Sequence, residues 1–116
     1  MAEDCIFCKI ANKEIPSTVV YEDDCVIAFK DLEPQAPEHV LVIPKKHYDS
    51  VLALDKDGKE VAGHIVAEVV PQIAEKLGIA KDGFRLVANT GDAGGQTVKH
   101  LHFHVLGGRS MQWPPG

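Results

Sequence analysis

No apolar run in this 116-residue chain approaches the about 18 residues of a transmembrane helix, so membrane spanning is not expected. Basic residues are in deficit, with 12 Lys+Arg against 17 Asp+Glu and a formal charge of −5. Nucleic-acid binders usually display a basic face; none is evident, so a phosphate ligand would need local donors. Cysteines number three, and an odd count argues against a disulfide framework. The start, Met1-Ala2-Glu3-Asp4, is acidic where a signal peptide would be basic. The end, Trp113-Pro114-Pro115-Gly116, is no prenylation box. Repeats, linkers and low-complexity tracts are lacking. Together these absences read as a cytoplasmic protein. What the chain does have is 45% apolar and 25% charged residues, enough for one small core and unlike a disordered chain. A single domain over residues 1–116 is expected. So short a chain leaves much of its surface exposed, and a dimer that covers some of it is unsurprising.

Asp4 reads as the N-cap of a short helix over residues 4–13, with Ile6, Phe7 and Ile10 at helical spacing. Pro16 ends it. Thr18–Tyr21 and Cys25–Phe29 read as a hairpin around the polar Glu22-Asp23-Asp24, and His39–Ile43 as a third strand stopped by Pro44. From Asp57 to Leu77 the period becomes helical: Val61, Ile65, Val69, Ile73 and Leu77 form a stripe widened by Ala62, Val66 and Val70. Glu60, His64, Glu68 and Gln72 fall on the solvent face, and Gly78 marks the end. Pro71 should kink or split this run. Phe84–Ala88 and His102–Leu106 supply the fourth and fifth strands. The expected class is α+β: a five-stranded antiparallel sheet with one short N-terminal helix and one long central helix. Cys25 reads as a core thiol, and Lys45 and Lys46 as a surface pair.

The informative segment is His100-Leu101-His102-Phe103-His104-Val105-Leu106. In a strand the three histidines share one face, while Leu101, Phe103 and Val105 share the other. Positions 100 and 104 lie ~13 Å apart along an extended strand, too far for all three to ligate one ion easily. A row of imidazoles along an extended ligand fits better, because neutral imidazole can attack an electrophile and also donate a hydrogen bond. A phosphoryl group needs both an attacker and donors to its oxygens. Just upstream, Asn89–Thr97 contains Gly91, Gly94 and Gly95, which free backbone N–H groups to approach an anion, with Gln96 and Thr97 adding side-chain donors.

These residues resemble the histidine triad (HIT) superfamily, whose motif alternates histidine with hydrophobic residues as in 100–106. The likeness is closest to the Hint branch of nucleotide-binding proteins. It extends through Glu14-Ile15-Pro16, Phe29-Lys30-Asp31, Pro34-Gln35-Ala36-Pro37, His39, Leu41–His47, Gly94-Gly95-Gln96, Leu106–Arg109 and the Trp113–Gly116 ending. The resemblance implies a purine nucleotide phosphoramidase that cleaves P–N bonds in adenosine 5′-phosphoramidates such as AMP-lysine or AMP-amide. It implies His102 as the nucleophile, forming an AMP-histidine intermediate, His104 as a donor to the phosphate, and His39 as support from a neighbouring strand. Asp31 would hold the ribose, with Leu32 beside it and Ile6, Phe7, Ile10 and Phe29 around the base. Asn89, Gly95, Gln96 and Thr97 would bind the phosphate region. Branch members commonly carry serine where this chain has Thr97, which keeps the hydroxyl and adds a methyl. The family also implies a homodimer, with Trp113 near the partner's site. Attack by imidazole needs no magnesium, so no cofactor is expected for catalysis. Two other readings stay open: a weakly catalytic nucleotide-binding scaffold, and a dinucleoside polyphosphate hydrolase of the same superfamily.

Cys5-Ile6-Phe7-Cys8 is half of a tetrahedral zinc site. His47 and His100 are the leading candidates to close it, and similar bacterial HIT proteins carry zinc in this pattern. A buried pair of helix thiols and a redox Cys-x-x-Cys remain alternatives, the latter without the βαβ context it usually has. A zinc here would be structural.

Overall fold

Hydrophobic patterning places two apolar faces on the central strands, and the fold covers both. The computed structural model describes residues 4–116; Met1-Ala2-Glu3, part of the acidic start, lies outside the described residues. In chain order the elements are α1 (Ile6–Ala11), β1 (Val19–Glu22), β2 (Val26–Lys30), β3 (Glu38–Pro44), a 3-10 turn (Val51–Ala53), α2 (Lys56–His64), a π segment (Ile65–Val69), α3 (Val70–Leu77), β4 (Phe84–Val87) and β5 (Phe103–Gly107). The strands form one antiparallel sheet in the order β1-β2-β3-β5-β4. The fold is thus α+β, with α2, the π segment and α3 running on as one long helix. Among the described residues no helix is long and apolar enough to cross a membrane.

Side chains alternate across β2 and β3. Val26, Ala28, Val40 and Val42 join Phe103 and Val105 against Ile65, Val69, Val70, Ile73 and Ala74 of the long helix. Ile27, Phe29, Leu41 and Ile43 point the other way and are covered by Cys5, Phe7, Cys8 and Ile10 of the N-terminal segment. The second face carries the histidines: His104 pairs with Leu41 and His39 with Leu106 in the β3–β5 register.

Several local expectations are corrected. Helix α1 is capped by Cys5, whose Sγ accepts from the Cys8 backbone N–H, and not by Asp4. Cys25 is exposed, because β2 begins one residue later at Val26. Val66 is half-exposed and widens no buried stripe. Strand β5 starts at Phe103, so His100 and His102 precede it. The run divides into α2 and α3 next to Pro71, joined through the π segment into one continuous helix. The Val70 N–H reaches back to the Ile65 carbonyl, making one wide turn just before the proline, where the missing Pro71 N–H and its ring are accommodated. A stripe spaced strictly by four drifts about 40° per step on 3.6-residue turns, and the wide turn takes up part of that drift.

His64 is not simply solvated. Its Nε2 lies 2.7 Å from Asp23 Oδ2 in the β1–β2 turn and its Nδ1 2.6 Å from Glu68 Oε1, while the Tyr21 hydroxyl donates to the same Asp23 oxygen at 2.7 Å. The bonds to Asp23 and Glu68 raise the His64 pKa above its usual 6.5. Burial opposes ionisation of Asp23, but His64, Tyr21 and two backbone N–H groups outweigh it and hold the carboxyl down to about 2. Because the folded His64 pKa is raised, its stabilising contribution is complete below pH 6.5 and fades as pH rises through the folded value. Replacing His64 by glutamine should therefore lower the melting temperature more at pH 6 than at pH 9. Equal losses at both pH values would contradict an ionic staple.

Candidate active site and metal-ligand cluster

Hydrogen bonds to groups of fixed polarity settle which nitrogen of each imidazole carries its proton. The Gln35 backbone N–H donates to His39 Nδ1 at 3.0 Å, so neutral His39 is protonated at Nε2. That nitrogen lies 2.9 Å from His104 Nδ1 and 3.4 Å from Asp31 Oδ2. His39 Nε2–H therefore donates to His104 Nδ1, which puts the His104 proton on Nε2. His102 Nδ1 lies 2.7 Å from the His100 carbonyl oxygen, which can only accept, so the His102 proton is on Nδ1 and Nε2 keeps its lone pair. The row thus presents a lone pair at His102 and an N–H donor at His104, with the two rings 5.0 Å apart.

Burial holds His39 and His104 in the neutral form. Desolvation lowers the His39 pKa, partly countered by Asp31. Desolvation, with the neighbouring His102 and His39, brings His104 down to about 4. Both are neutral near pH 7, as the chain of donors requires. The β2–β3 loop is held by Asp31 N–H donating to the His39 carbonyl and by Arg109 donating to the Gln35 carbonyl at 3.0 and 3.2 Å.

The other expected residues divide between the row and its surroundings. The Phe7 ring stands edge-on to His102 at 5.0 Å and to Phe29 at 5.6 Å, and Ile10 is buried in the same cluster. Ile6 is half-exposed and shares a cavity of about 350 Å³ with Cys5, Thr97 and Val98. Asn89 is half-buried. Leu32, 95% exposed, and Trp113, 81% exposed, stand in solvent. Larger grooves, of about 530 Å³ beside β1 and α3 and about 650 Å³ beside Phe84 and Arg109, contain no histidine or cysteine.

The glycine-rich segment folds as a turn with Gly91 at φ 72° and Gly95 at φ 77°, where a side chain is strained. Gln96 spends its amide internally: Oε1 accepts from Gly91 N–H at 3.0 Å, and Nε2 donates to the Asp49 and Val98 carbonyls at 2.6 and 3.1 Å. A Cβ on Gly94 would collide with the Thr90 backbone. Gly94→Ala must therefore shift this loop, and a roughly tenfold weaker affinity for AMP with little change in melting temperature is expected by calorimetry. That is about 1.4 kcal/mol.

Cys5, Cys8, His47 and His100 converge, with one ligand atom from each within 4.8 Å of the others. Cys5 Sγ to His100 Nδ1 is 3.3 Å, Cys8 Sγ to His47 Nδ1 3.3 Å, Cys8 Sγ to His100 Nδ1 3.5 Å, and the two Nδ1 atoms are 3.2 Å apart. A tetrahedral ion with bonds of ~2.0–2.1 Å to nitrogen and ~2.3 Å to sulfur sets such donors ~3.3–3.6 Å apart. The protons sit on the far nitrogens: His100 Nε2 donates to the Pro44 carbonyl at 2.8 Å and His47 Nε2 to Asp49 Oδ1 at 2.7 Å. Two imidazole lone pairs therefore face each other beside two thiols, an arrangement that suits a cation. The residues fit zinc. Asp31, His39 and His104 also approach one another, but there His39 Nε2 carries a proton already donated within the group.

Sequence reasoning missed the residues that orient these rings: Gln35 through its N–H, Pro44 through its carbonyl, and Asp49. Only Asp49 leaves a trace, a carboxylate two residues after a candidate ligand.

The HIT domain family model matches residues 12–111. The chain is 48% identical over 111 residues to the purine nucleoside phosphoramidase of Escherichia coli (strain K12), covering 96% of this chain and 92% of that one. It is 52% identical over 116 residues, the full length of both, to a HIT-like protein of Synechococcus elongatus. Among solved structures, a HIT family hydrolase from Legionella pneumophila superposes with TM-score 0.93 at 48% identity, over 97% of this chain and 100% of that chain. A histidine triad protein from Clostridium difficile superposes with TM-score 0.92 at 53% identity, over 97% and 96%.

Proposed function

The chain belongs to the HIT domain family, and from that premise we propose that it is a purine nucleotide phosphoramidase hydrolysing the P–N bond of adenosine 5′-phosphoramidates. The observation that carries the reading is the 2.7 Å bond from His102 Nδ1 to the His100 carbonyl, which leaves the His102 Nε2 lone pair as an attacker. His102 Nε2 bonds to phosphorus as the P–N bond breaks, and the nitrogen departs as an amine after taking a proton, a transfer assigned to the Thr97 hydroxyl. His104 Nε2–H donates to a phosphate oxygen where charge gathers. Water then attacks the nucleotidyl-histidine and gives its proton to Thr97, releasing AMP and restoring both the Thr97 hydroxyl and the neutral imidazole. Asp31 binds the ribose hydroxyls, and the Phe7–Phe29 cluster with Ile6, Ile10 and Leu32 packs about the base. Asn89, Gly95 and Gln96 complete the phosphate loop.

No cofactor enters these steps. Cys5, Cys8, His47 and His100 are assigned to a structural zinc, which when bound neutralises the thiolates and cross-links the N-terminal segment to the sheet. Cysteines kept out of disulfides at this cluster suit the reducing cytoplasm. A homodimer belongs to the same reading, supported by the half-exposed apolar edge strand β4 and the exposed Trp113; sedimentation should give twice the chain mass.

Side-by-side hydrolysis of AMP-amide and diadenosine triphosphate tests the substrate. AMP-amide is expected to be the better substrate by kcat/KM. The reverse order would assign the polyphosphate hydrolase reading, and AMP binding without turnover of either compound would assign the scaffold.

A further inference from the structure

The four metal-ligating side chains touch the catalytic row and the phosphate loop by two separate hydrogen-bonded routes. His100 contributes Nδ1 to the tetrad, anchors Nε2 on the Pro44 carbonyl at 2.8 Å, and offers its own carbonyl to His102 Nδ1 at 2.7 Å. The ring that faces the metal position and the carbonyl that sets the nucleophile's tautomer therefore belong to one residue. The second route starts at His47. Its Nδ1 faces the tetrad and its Nε2–H donates to Asp49 Oδ1 at 2.7 Å. The Asp49 carbonyl accepts from Gln96 Nε2 at 2.6 Å, and Gln96 Oε1 accepts from the Gly91 N–H at 3.0 Å. Between the routes, Leu101 N–H donates to the Tyr48 carbonyl at 2.6 Å, clamping the His47–Asp49 segment beside His100.

We infer that Asp49 is a positioning residue through which the metal tetrad fixes the phosphate loop, while His100 fixes the nucleophile, so that tetrad occupancy governs both nucleotide binding and turnover. The inference rests on the phosphoramidase and zinc readings above, and it adds a division of labour. The His47–Asp49–Gln96 route acts on groups that hold the phosphate in the ground state and transition state alike, so damage to it raises KM with kcat nearly unchanged. The His100 route acts on the attacking nitrogen, so damage to it lowers kcat. Outer-sphere carboxylates on ligating histidines also raise metal affinity by about 10–100-fold, so the same Asp49 oxygen reports on the metal.

The test compares Asp49→Ala and Asp49→Asn with wild type, all purified with zinc. It reads zinc affinity by chelator competition, amide hydrogen exchange at Gly91, and the kcat and KM of AMP-amide hydrolysis. Asp49→Ala should lose zinc at about 10–100-fold lower chelator concentration, exchange Gly91 faster, and raise KM several-fold at nearly constant kcat. Asp49→Asn keeps an oxygen acceptor for His47 Nε2–H and should restore all three. Stripping zinc from wild type should also speed Gly91 exchange. Wild-type behaviour of Asp49→Ala in zinc affinity and Gly91 exchange would overturn the inference, as would a loss confined to kcat. A wild type that turns over no AMP-amide defeats the phosphoramidase reading alone, because zinc affinity and Gly91 exchange still decide the coupling. A wild type that takes up no zinc defeats the inference together with the metal assignment.

Discussion

Replacing His102 by alanine is expected to abolish hydrolysis of AMP-amide, lowering kcat/KM by roughly 10⁴–10⁶-fold, while AMP still binds. The size follows from the chemistry: a covalent step has no substitute when its nucleophile is removed, whereas the residues proposed to hold the nucleotide, Asp31, His104 and the glycine-rich loop, are left in place. His104→Ala should cost less, about 10²–10³-fold, as for other single donors to a developing oxyanion. Adding or withholding magnesium should leave the wild-type rate unchanged, since imidazole attacks directly. Mass spectrometry of rapidly quenched wild type should show AMP attached to His102, and none on His102→Ala. Substantial turnover by His102→Ala would remove the nucleotidyl-histidine from the mechanism.

Much of this arrangement was legible in the sequence because it depends on period. Alternation from 100 to 106 places Leu101, Phe103 and Val105 in the helix-covered core and leaves His102 and His104 on the opposite face, and the four-residue stripe locates the long helix. What was not legible depends on contacts distant along the chain. The protonated nitrogen of His102 is fixed by a carbonyl only two residues away, but that carbonyl is aimed by the fold and not by spacing. His39 owes its tautomer to a loop N–H at Gln35. His64 is polar at a solvent-facing position by helical count, yet it bonds Asp23, 41 residues away, because the helix crosses beside the β1–β2 turn. Cys25 looks like a strand residue in an apolar run, and only the pairing of Val26 with Pro44 shows where β2 begins. Asp4 is the better N-cap by type. Cys5 takes that role where its sulfur also meets His100, so the cysteine–histidine cluster and the helix start are set by one residue.

That double role makes the metal assignment separable from helix stability. Cys8→Ser should abolish zinc binding, and Cys5→Ser should weaken it severely. Serine oxygen is a good N-cap acceptor, so Cys5→Ser keeps the bond to the Cys8 N–H while losing the thiolate. Free zinc about 1,000-fold above its Kd stabilises the folded state by about 4 kcal/mol. For a domain near this size each kcal/mol shifts the melting temperature by about 4–8 °C, so losing the ion should lower it by roughly 15–30 °C. Chelated wild type should fall by a similar amount and recover when zinc is returned, whereas Cys8→Ser should not recover. If the cysteines were only small apolar side chains under the sheet, both serine variants would melt lower, but chelation of wild type would change nothing. Metal-free wild type that melts like the purified protein would therefore return Cys5 and Cys8 to the core and leave the facing Nδ1 atoms of His47 and His100 to be satisfied by the thiol protons.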